Sequence, residues 1–102
     1  MLDLRPNCEL CDKDLPPEAA EARICSYECT YCADCAERTL ANVCINCGGG
    51  LMPRPIRPLT EWREGLSRLR QRPSITRVLT PYSADEIAAH VARVKDTPPE
   101  RR

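Results

Sequence analysis

A chain of 102 residues with eight cysteines, one tryptophan and no phenylalanine has too little apolar bulk for hydrophobic burial alone to fold it. It has no stretch near the roughly 20 apolar residues of a membrane span, and its first residues lack the basic and apolar segments of a signal peptide, so we expect a cytoplasmic protein. The net charge is zero, yet residues 1–50 carry four basic and nine acidic side chains (−5) and residues 51–102 carry eleven and six (+5).

All eight cysteines lie between residues 8 and 47, in four spaced pairs. A gap of two residues lets one backbone turn present both sulfurs to one ion about 2.3 Å away, as in tetrahedral zinc sites. Eight such ligands make two closed four-cysteine sites with no open position for a reactive water, so two structural zinc ions are predicted. Disulfides are the alternative, but they require an oxidising compartment. The pairs are Cys8 and Cys11, Cys25 and Cys29, Cys32 and Cys35, and Cys44 and Cys47.

Two stretches, residues 8–13 and 44–50, are typical of zinc knuckles. Such a turn exposes backbone N–H groups that can hydrogen-bond the thiolates. Its unusual dihedrals are tolerated by Asp12 in the first knuckle. In the second, the three glycines at 48–50 supply the positive φ values that the turn needs.

Between the knuckles, we predict an exposed acidic loop over residues 12–24 and a short helix over 33–41. Ala, Glu, Arg and Leu favour the helix, and Asn42 suits its left-handed C-terminal cap. Tyr27 and Tyr31 are predicted to pack beside the metal as a local core. Residues 1–50 thus form the head of the protein.

The second half is predicted to be a Pro- and Arg-rich linker, residues 51–59, followed by a partly helical tail, residues 60–95. Thr60 can cap a helix over 61–71. One face of that helix would carry three apolar residues spaced i, i+4 and i+7: Trp62, Leu66 and Leu69.

The remainder of the tail begins with an extended stretch at 74–80. Ser83 then opens a capping box for a helix over about 84–95. His90, the only histidine, lies beside the apolar stripe of that helix and is predicted to be a boundary residue rather than a ligand. The end, residues 96–102, is expected to be disordered.

Spacing alone leaves open which cysteine pairs share a metal. A pair that starts a helix is commonly completed by an earlier knuckle, which would cross the sites by joining the first pair with the third and the second with the fourth. The sequential alternative joins the first pair with the second and the third with the fourth, and would give two separate metal-binding units along the chain.

The cysteine order C-x2-C-x13-C-x3-C-x2-C-x2-C-x8-C-x2-C resembles the RING finger, with Cys29 where most RING fingers have histidine. The resemblance implies a small α+β, zinc-stabilised domain of RING-like or treble-clef type, with crossed sites. It also implies that Leu10 corresponds to the apolar residue through which RING ubiquitin ligases contact the conjugating enzyme. Gly48 and Ile45 depart from the ligase pattern, which often has a basic residue and proline there. The implied ligand sets are Cys8, Cys11, Cys32 and Cys35 for one zinc, and Cys25, Cys29, Cys44 and Cys47 for the other.

Over about residues 1–58 the chain is similar to a family of short bacterial proteins known as domain of unknown function 1272. The resemblance rests on the opening Met-Leu-Asp-Leu-Arg-Pro-Asn-Cys, on Cys-Thr-Tyr-Cys-Ala-Asp-Cys at 29–35, and on the final Cys-x-Asn-Cys-Gly-Gly. It implies zinc binding and no known activity.

These features predict a non-enzymatic module that binds another protein through Leu10, the acidic head loop, or the face of Trp62, Leu66 and Leu69. Self-association is a further option for the apolar faces. One alternative is nucleic-acid binding through the tail arginines, which the acidic head disfavours. Another is ubiquitin-ligase-like activity. An iron–sulfur centre, suggested by the spacing of Cys25, Cys29 and Cys32, would leave five cysteines without a role.

Overall fold

The protein is a small α+β fold whose sheet consists of three very short strands beside the cysteine pairs. The computed structural model describes residues 1–102. Strand β1 (Ala22–Ile24) lies between β2 (Thr30–Cys32) and β3 (Met52–Pro53) and is antiparallel to both. In the register, Arg23 pairs with Tyr31 on one side and with Pro53 on the other. The sheet therefore places Cys25 directly after β1 and Cys32 at the end of β2.

Cysteine is the most frequent residue type in the core. A single cluster of 16 buried residues fills the interior, and six of them are cysteines. Tyr31 is fully buried in this cluster, as predicted, but Tyr27 is 73% exposed, so its predicted role in the core is wrong. The two tyrosines differ because Tyr31 is the middle residue of the buried strand β2, whereas Tyr27 lies in the turn between β1 and β2.

The first helical segment covers residues 33–39 of the predicted 33–41, and from Cys35 to Thr39 it is a π-helical turn. It ends where Ala41 and Asn42 both adopt the left-handed conformation, with φ values of 47° and 64°. The predicted left-handed cap at Asn42 is therefore confirmed. Its side-chain oxygen also accepts a hydrogen bond from the N–H of Leu51 at 2.9 Å, which fixes the start of the second half.

Helix α1 (Ala84–Val94) agrees with its prediction. The Ser83 hydroxyl accepts a hydrogen bond from Glu86 N, and the Glu86 carboxylate accepts one from Ser83 N, which completes the capping box. This bond to the Ser83 N–H lowers the pKa of Glu86. Ile87 and Val91 are buried in the common core, so the helix packs on the head. None of the helices is long and apolar enough to cross a membrane.

The predicted helix over 61–71 is absent, and turns take its place. Gly65 has a φ of +82°, a left-handed conformation that interrupts a right-handed helix. The side chain of Gln71 then satisfies loop backbone groups by donating to Gly65 O and accepting from Ser67 N. The apolar residues do recur at helical spacing, but Gly65 and the hydrogen bonds of the Gln71 side chain favour a compact loop.

The tail lies against the head along most of its length. The predicted extended stretch at 74–80 runs beside residues 4–9, bonded from Ser74 N to Leu4 O at 3.1 Å and from Thr80 N to Glu9 O at 2.8 Å. The end, residues 96–102, was predicted to be disordered. The structure shows it ordered, with a 3-10 turn at Pro99–Arg101. The Arg102 guanidinium then donates to the carbonyls of Asn42 and Gly48. These bonds satisfy carbonyls that a free end would leave to water.

Arg54 connects the two halves from a buried position in what the sequence suggested was a linker. Its side chain donates to Arg5 O at 2.8 Å, to Pro16 O at 3.0 Å and to Leu15 O at 3.3 Å, and the residue is only 4% exposed. Burial lowers the pKa of this guanidinium. Residues 51–59 therefore act as a clasp on the head and not as a spacer.

We expect Arg54→Met to lower the free energy of unfolding by about 2–4 kcal/mol, because three carbonyls lose a buried donor at about 1 kcal/mol each or somewhat more. Arg72→Met is the matched control, because Arg72 is exposed and makes no ion pair, and should change stability by no more than about 0.5 kcal/mol. Urea unfolding of the metal-loaded protein measures both. Equal stability of the two variants would contradict the clasp.

Candidate metal centres

The first cluster gathers the sulfurs of the first and third cysteine pairs. The Sγ atoms of Cys8, Cys11, Cys32 and Cys35 all lie within 4.8 Å of one another, and those of Cys11 and Cys32 are 3.8 Å apart. Four thiolates bound tetrahedrally to one ion at 2.3 Å are separated by about 3.8 Å. The cluster therefore has the dimensions of a single-ion site, and it is one of the two groups that crossed pairing requires.

Local backbone geometry presents these sulfurs. In the first knuckle, Cys8 N donates to Lys13 O at 2.8 Å and Asp12 N donates to Cys8 O at 2.9 Å, with Asp12 left-handed at φ 65° as predicted. Cys11 N points at the Cys8 sulfur from 3.5 Å, and on the other side Cys35 N points at the Cys32 sulfur from the same distance. Each pair thus directs an N–H dipole at a sulfur, which stabilises a thiolate.

The second cluster gathers Cys25, Cys44 and Cys47, whose sulfurs also lie within 4.8 Å of one another. The second knuckle repeats the first: Cys44 N donates to Gly49 O and Gly48 N donates to Cys44 O, both at 2.9 Å. Gly48 has a φ of 77°, so the positive φ expected of the glycines occurs at this position. Gly49 N lies 3.3 Å from the Cys47 sulfur. Two cysteine clusters, of four and three sulfurs, could therefore each hold a metal ion.

Cys29 is not part of the mutually close group, although crossed pairing assigns it to the second cluster. Its sulfur accepts a hydrogen bond from Asn46 Nδ2 at 3.3 Å, and Asn46 lies within the second knuckle, between Cys44 and Cys47. Cys29 is buried beside Cys25, whose N–H donates to Cys29 O at 3.2 Å. The second cluster thus has three converged ligands and a fourth that is held by an amide.

Burial changes the acidity of the thiols. It raises the pKa of Cys25, Cys29 and Cys35 above the ordinary thiol value. Burial also acts on Cys44, but hydrogen bonds from the Tyr31 hydroxyl, at 3.4 Å, and from the backbone of the knuckle outweigh it and lower the pKa of Cys44. A metal ion must displace protons from the other buried thiols, so its binding weakens as the pH falls.

Sequence reasoning missed Glu9, which lies between the first two cysteines and is only 2% exposed. Its carboxylate accepts hydrogen bonds from Thr30 N and, at 2.8 Å, from Arg5 Nη1. Burial opposes protonation of Arg5, but the pairing with Glu9 outweighs it and raises the pKa of Arg5. Because Thr30 begins the strand that ends at Cys32, Glu9 braces the two halves of the first cluster. The only signal in the sequence was an acidic residue between two cysteines.

The one histidine lies outside both clusters. His90 is half-buried on α1, and its Nε2 is 2.9 Å from the carbonyl oxygen of Cys44. This is the boundary position that the sequence predicted. Through this contact the helix is attached to the second knuckle.

The residues predicted to contact a partner fall into two groups. Leu10 is half-buried and packs against the core cluster, so little of its side chain is free. Trp62, Leu66 and Leu69 are instead exposed, by 79%, 55% and 72%, in the loop that replaces the predicted helix. The exposed apolar surface therefore lies on the tail.

Comparisons with known proteins agree with the cysteine-rich head. The family described as "Protein of unknown function (DUF1272)" matches residues 1–57. An uncharacterized protein of Rhizobium meliloti (strain 1021) is 54% identical over 91 residues, which cover 87% of this chain and all of that protein. No solved structure matches the chain.

The unequal clusters predict unequal effects of cysteine removal. Cys29→Ala should retain more metal at the second cluster than Cys44→Ala, because Cys29 is not among the three converged sulfurs whereas Cys44 is. Metal content after desalting, measured by inductively coupled plasma mass spectrometry, compares the two variants. Cys35→Ala, which removes a converged ligand from the first cluster, is the reference for a full loss of affinity. Equal losses from Cys29→Ala and Cys44→Ala would contradict the asymmetry.

Proposed function

The chain belongs to the DUF1272 family of proteins of unknown function, and from this premise we propose that it is a zinc-stabilised module for protein–protein interaction without catalytic activity. The observation that carries the proposal is the first cluster, in which four sulfurs surround a space the size of one tetrahedral ion. Free thiols of this kind require a reducing compartment, for which we propose the cytoplasm.

Zinc is the metal that best fits the donor sets. Thiolate-only sites are too soft for magnesium or calcium, which prefer oxygen ligands. Sulfurs that lie within 4.8 Å of one another leave room for one ion but not for several irons with bridging sulfides. Four thiolates also close the coordination sphere, which is typical of a structural zinc site and leaves no position for an activated water.

We further propose that the two sites are crossed in the manner of a RING finger. The grouping of the first pair with the third, and of Cys25 with the fourth, supports this arrangement. Ubiquitin-ligase-like activity receives less support. Leu10 packs against the core, and Ile45, which replaces the usual proline of the ligases, is buried.

Nucleic-acid binding through the tail is disfavoured by the engagement of its arginines. Arg77 pairs with Asp12 and Asp14 at 2.9 and 2.7 Å, Arg68 pairs with Glu18, and Arg54 and Arg57 donate to backbone carbonyls. These guanidinium groups hold the tail to the head, and their engagement there argues against a role as phosphate ligands.

The loop residues 59–75 are the surface that we assign to partner binding. They carry Trp62 and Leu69, which are 79% and 72% exposed. Large exposed apolar side chains grouped in one segment are typical of interaction sites. Trp is also the residue type most enriched among side chains that dominate binding energy.

The purified protein should contain two zinc ions and be colourless. Removing them with excess chelator should unfold residues 8–47, because metal binding and folding share one free energy in domains of this kind. Metal analysis and far-ultraviolet circular dichroism measure both outcomes. A brown, iron-containing preparation, or a native-like spectrum in chelator, would contradict the proposal.

Partner capture tests the assigned surface. Immobilised zinc-loaded protein should retain a specific protein from a lysate of Rhizobium meliloti, the organism of the relative, and Trp62→Ala should lose it. Tyr27→Ala is the matched control, because Tyr27 is an aromatic residue of similar exposure, 73%, on the head. Retention by Trp62→Ala and loss by Tyr27→Ala would move the interaction surface to the head.

A further inference from the structure

A groove of about 910 Å³ lies where the tail loop meets the head. Its apolar walls are formed by prolines 17 and 73 together with Leu59, Leu69 and Ile75. Those last three side chains are exposed by 60%, 72% and 92%, so the groove has no cover within the chain. A group that fills it would bury a continuous apolar surface.

The groove is also positively charged. Arg68 and Arg72 line it, against a single acid, Glu18. Arg68 Nη1 donates to the Glu18 carboxylate at 2.9 Å, but Arg68 Nε is buried without an acceptor. Arg72 makes no ion pair. The groove therefore fits an apolar group accompanied by carboxylates.

The chain itself carries such a group close by. Trp62 stands three residues after Leu59, is 79% exposed, and is not part of the groove walls. Its neighbours in the chain are Glu61, which pairs with Arg70 at 2.6 Å, and Arg63, while Glu64 lies two residues on and makes no ion pair. We propose that the occupant of the groove is a second copy of this chain, with Trp62 of each copy in the groove of the other. The proposal rests on the interaction surface assigned above and names its partner.

Symmetry supports the assignment. Because the projecting indole and the groove lie on the same stretch, residues 59–75, a two-fold axis can satisfy both contacts at once, which is the arrangement of most homodimers. The unpaired carboxylate of Glu64 can then meet the unpaired guanidinium of Arg72 in the groove of the other copy.

The surface area and radius of gyration of the chain also exceed those of a compact domain of its size. Its surface is 6559 Å², against about 5,800 Å² expected for its mass. Its radius of gyration is 14.4 Å, against about 13 Å for a compact domain of this length. The extents of 46 × 27 × 18 Å describe an elongated and flat molecule.

The available area is that of a small interface. At about 200 Å² for a large side chain, Leu59, Trp62, Leu69 and Ile75 expose roughly 600 Å² together. The prolines and the charged rim bring this toward the ~800 Å² that each partner contributes to a standard interface. We therefore expect a reversible dimer with a dissociation constant on the order of 10 μM.

Trp62 is the only tryptophan, so its fluorescence reports directly on the contact. From about 1 to 300 μM zinc-loaded protein, sedimentation velocity should show the mass rising from 11.5 kDa toward twice that value, with the emission moving to shorter wavelength in parallel. Trp62→Ala, Leu69→Lys and Arg72→Glu should each weaken association at least tenfold. Tyr27→Ala should associate like the wild type. Zinc content and circular dichroism verify that each variant is folded.

A mixture provides the sharpest test. Leu69→Lys keeps Trp62 but has a damaged groove, whereas Trp62→Ala keeps the groove and has no tryptophan. Adding excess Trp62→Ala should therefore shift the emission of Leu69→Lys, although Leu69→Lys alone at the same total concentration should not shift. An excess of the double variant Trp62→Ala/Leu69→Lys should have no effect.

The opposing results are distinct. A chain that stays monomeric with unshifted emission overturns the second-copy proposal but leaves the interaction module intact if partner capture depends on Trp62. A monomer whose capture of a different protein is abolished by Leu69→Lys assigns the groove to a foreign partner and also overturns it. A dimer that persists in both Trp62→Ala and Leu69→Lys places self-association elsewhere.

Discussion

The convergence of thiols in the head is the constraint on which the rest of the structure depends. Strands of two or three residues and one π-helical turn provide few backbone hydrogen bonds, and six of the 16 core residues are cysteines. Two knuckles with the same hydrogen-bond pattern present the sulfurs, one in each cluster. The sulfurs that could hold metal ions are thus also core residues, so a substitution at one of them changes both the cluster and the core.

Part of the charge asymmetry of the sequence is satisfied by contacts between the two halves of the chain. Arginines of the second half reach across to the first, where they meet the carboxylates of Asp12, Asp14 and Glu18 and the carbonyls of residues 2, 5, 15 and 16. Exposed pairs of this kind add little stability individually. Arg54 differs because it is buried and its donors serve several carbonyls at once. The tail is therefore a part of the fold and not an appendage to the head.

Features set by local chemistry could be predicted from the sequence, and features set by distant contacts could not. The left-handed residues Asp12, Asn42 and Gly48 and the capping box of α1 depend on a few neighbouring residues, and each was predicted. The loop at 61–71 was missed because apolar spacing favours a helix, whereas Gly65 and the side chain of Gln71 favour turns. The burial of Glu9 was missed because it depends on Thr30, 21 residues away, and Arg54 was missed because its carbonyl partners lie 38 to 49 residues away. The grouping of the cysteines needed the fold, since spacing alone permits two arrangements.

The overlap of the two cysteine clusters along the chain has a consequence for how metal is acquired. The first cluster closes a segment from residue 8 to 35 and the second closes one from 25 to 47, so residues 25–35 belong to both. The entropy lost when a first ion closes its segment already restricts this shared stretch, and a second ion then has less to lose. Each ion thereby raises the affinity for the other, which is positive cooperativity. If both clusters hold the zinc ions proposed above, a population under scarce zinc would divide into fully loaded and empty chains, with few half-loaded ones between them.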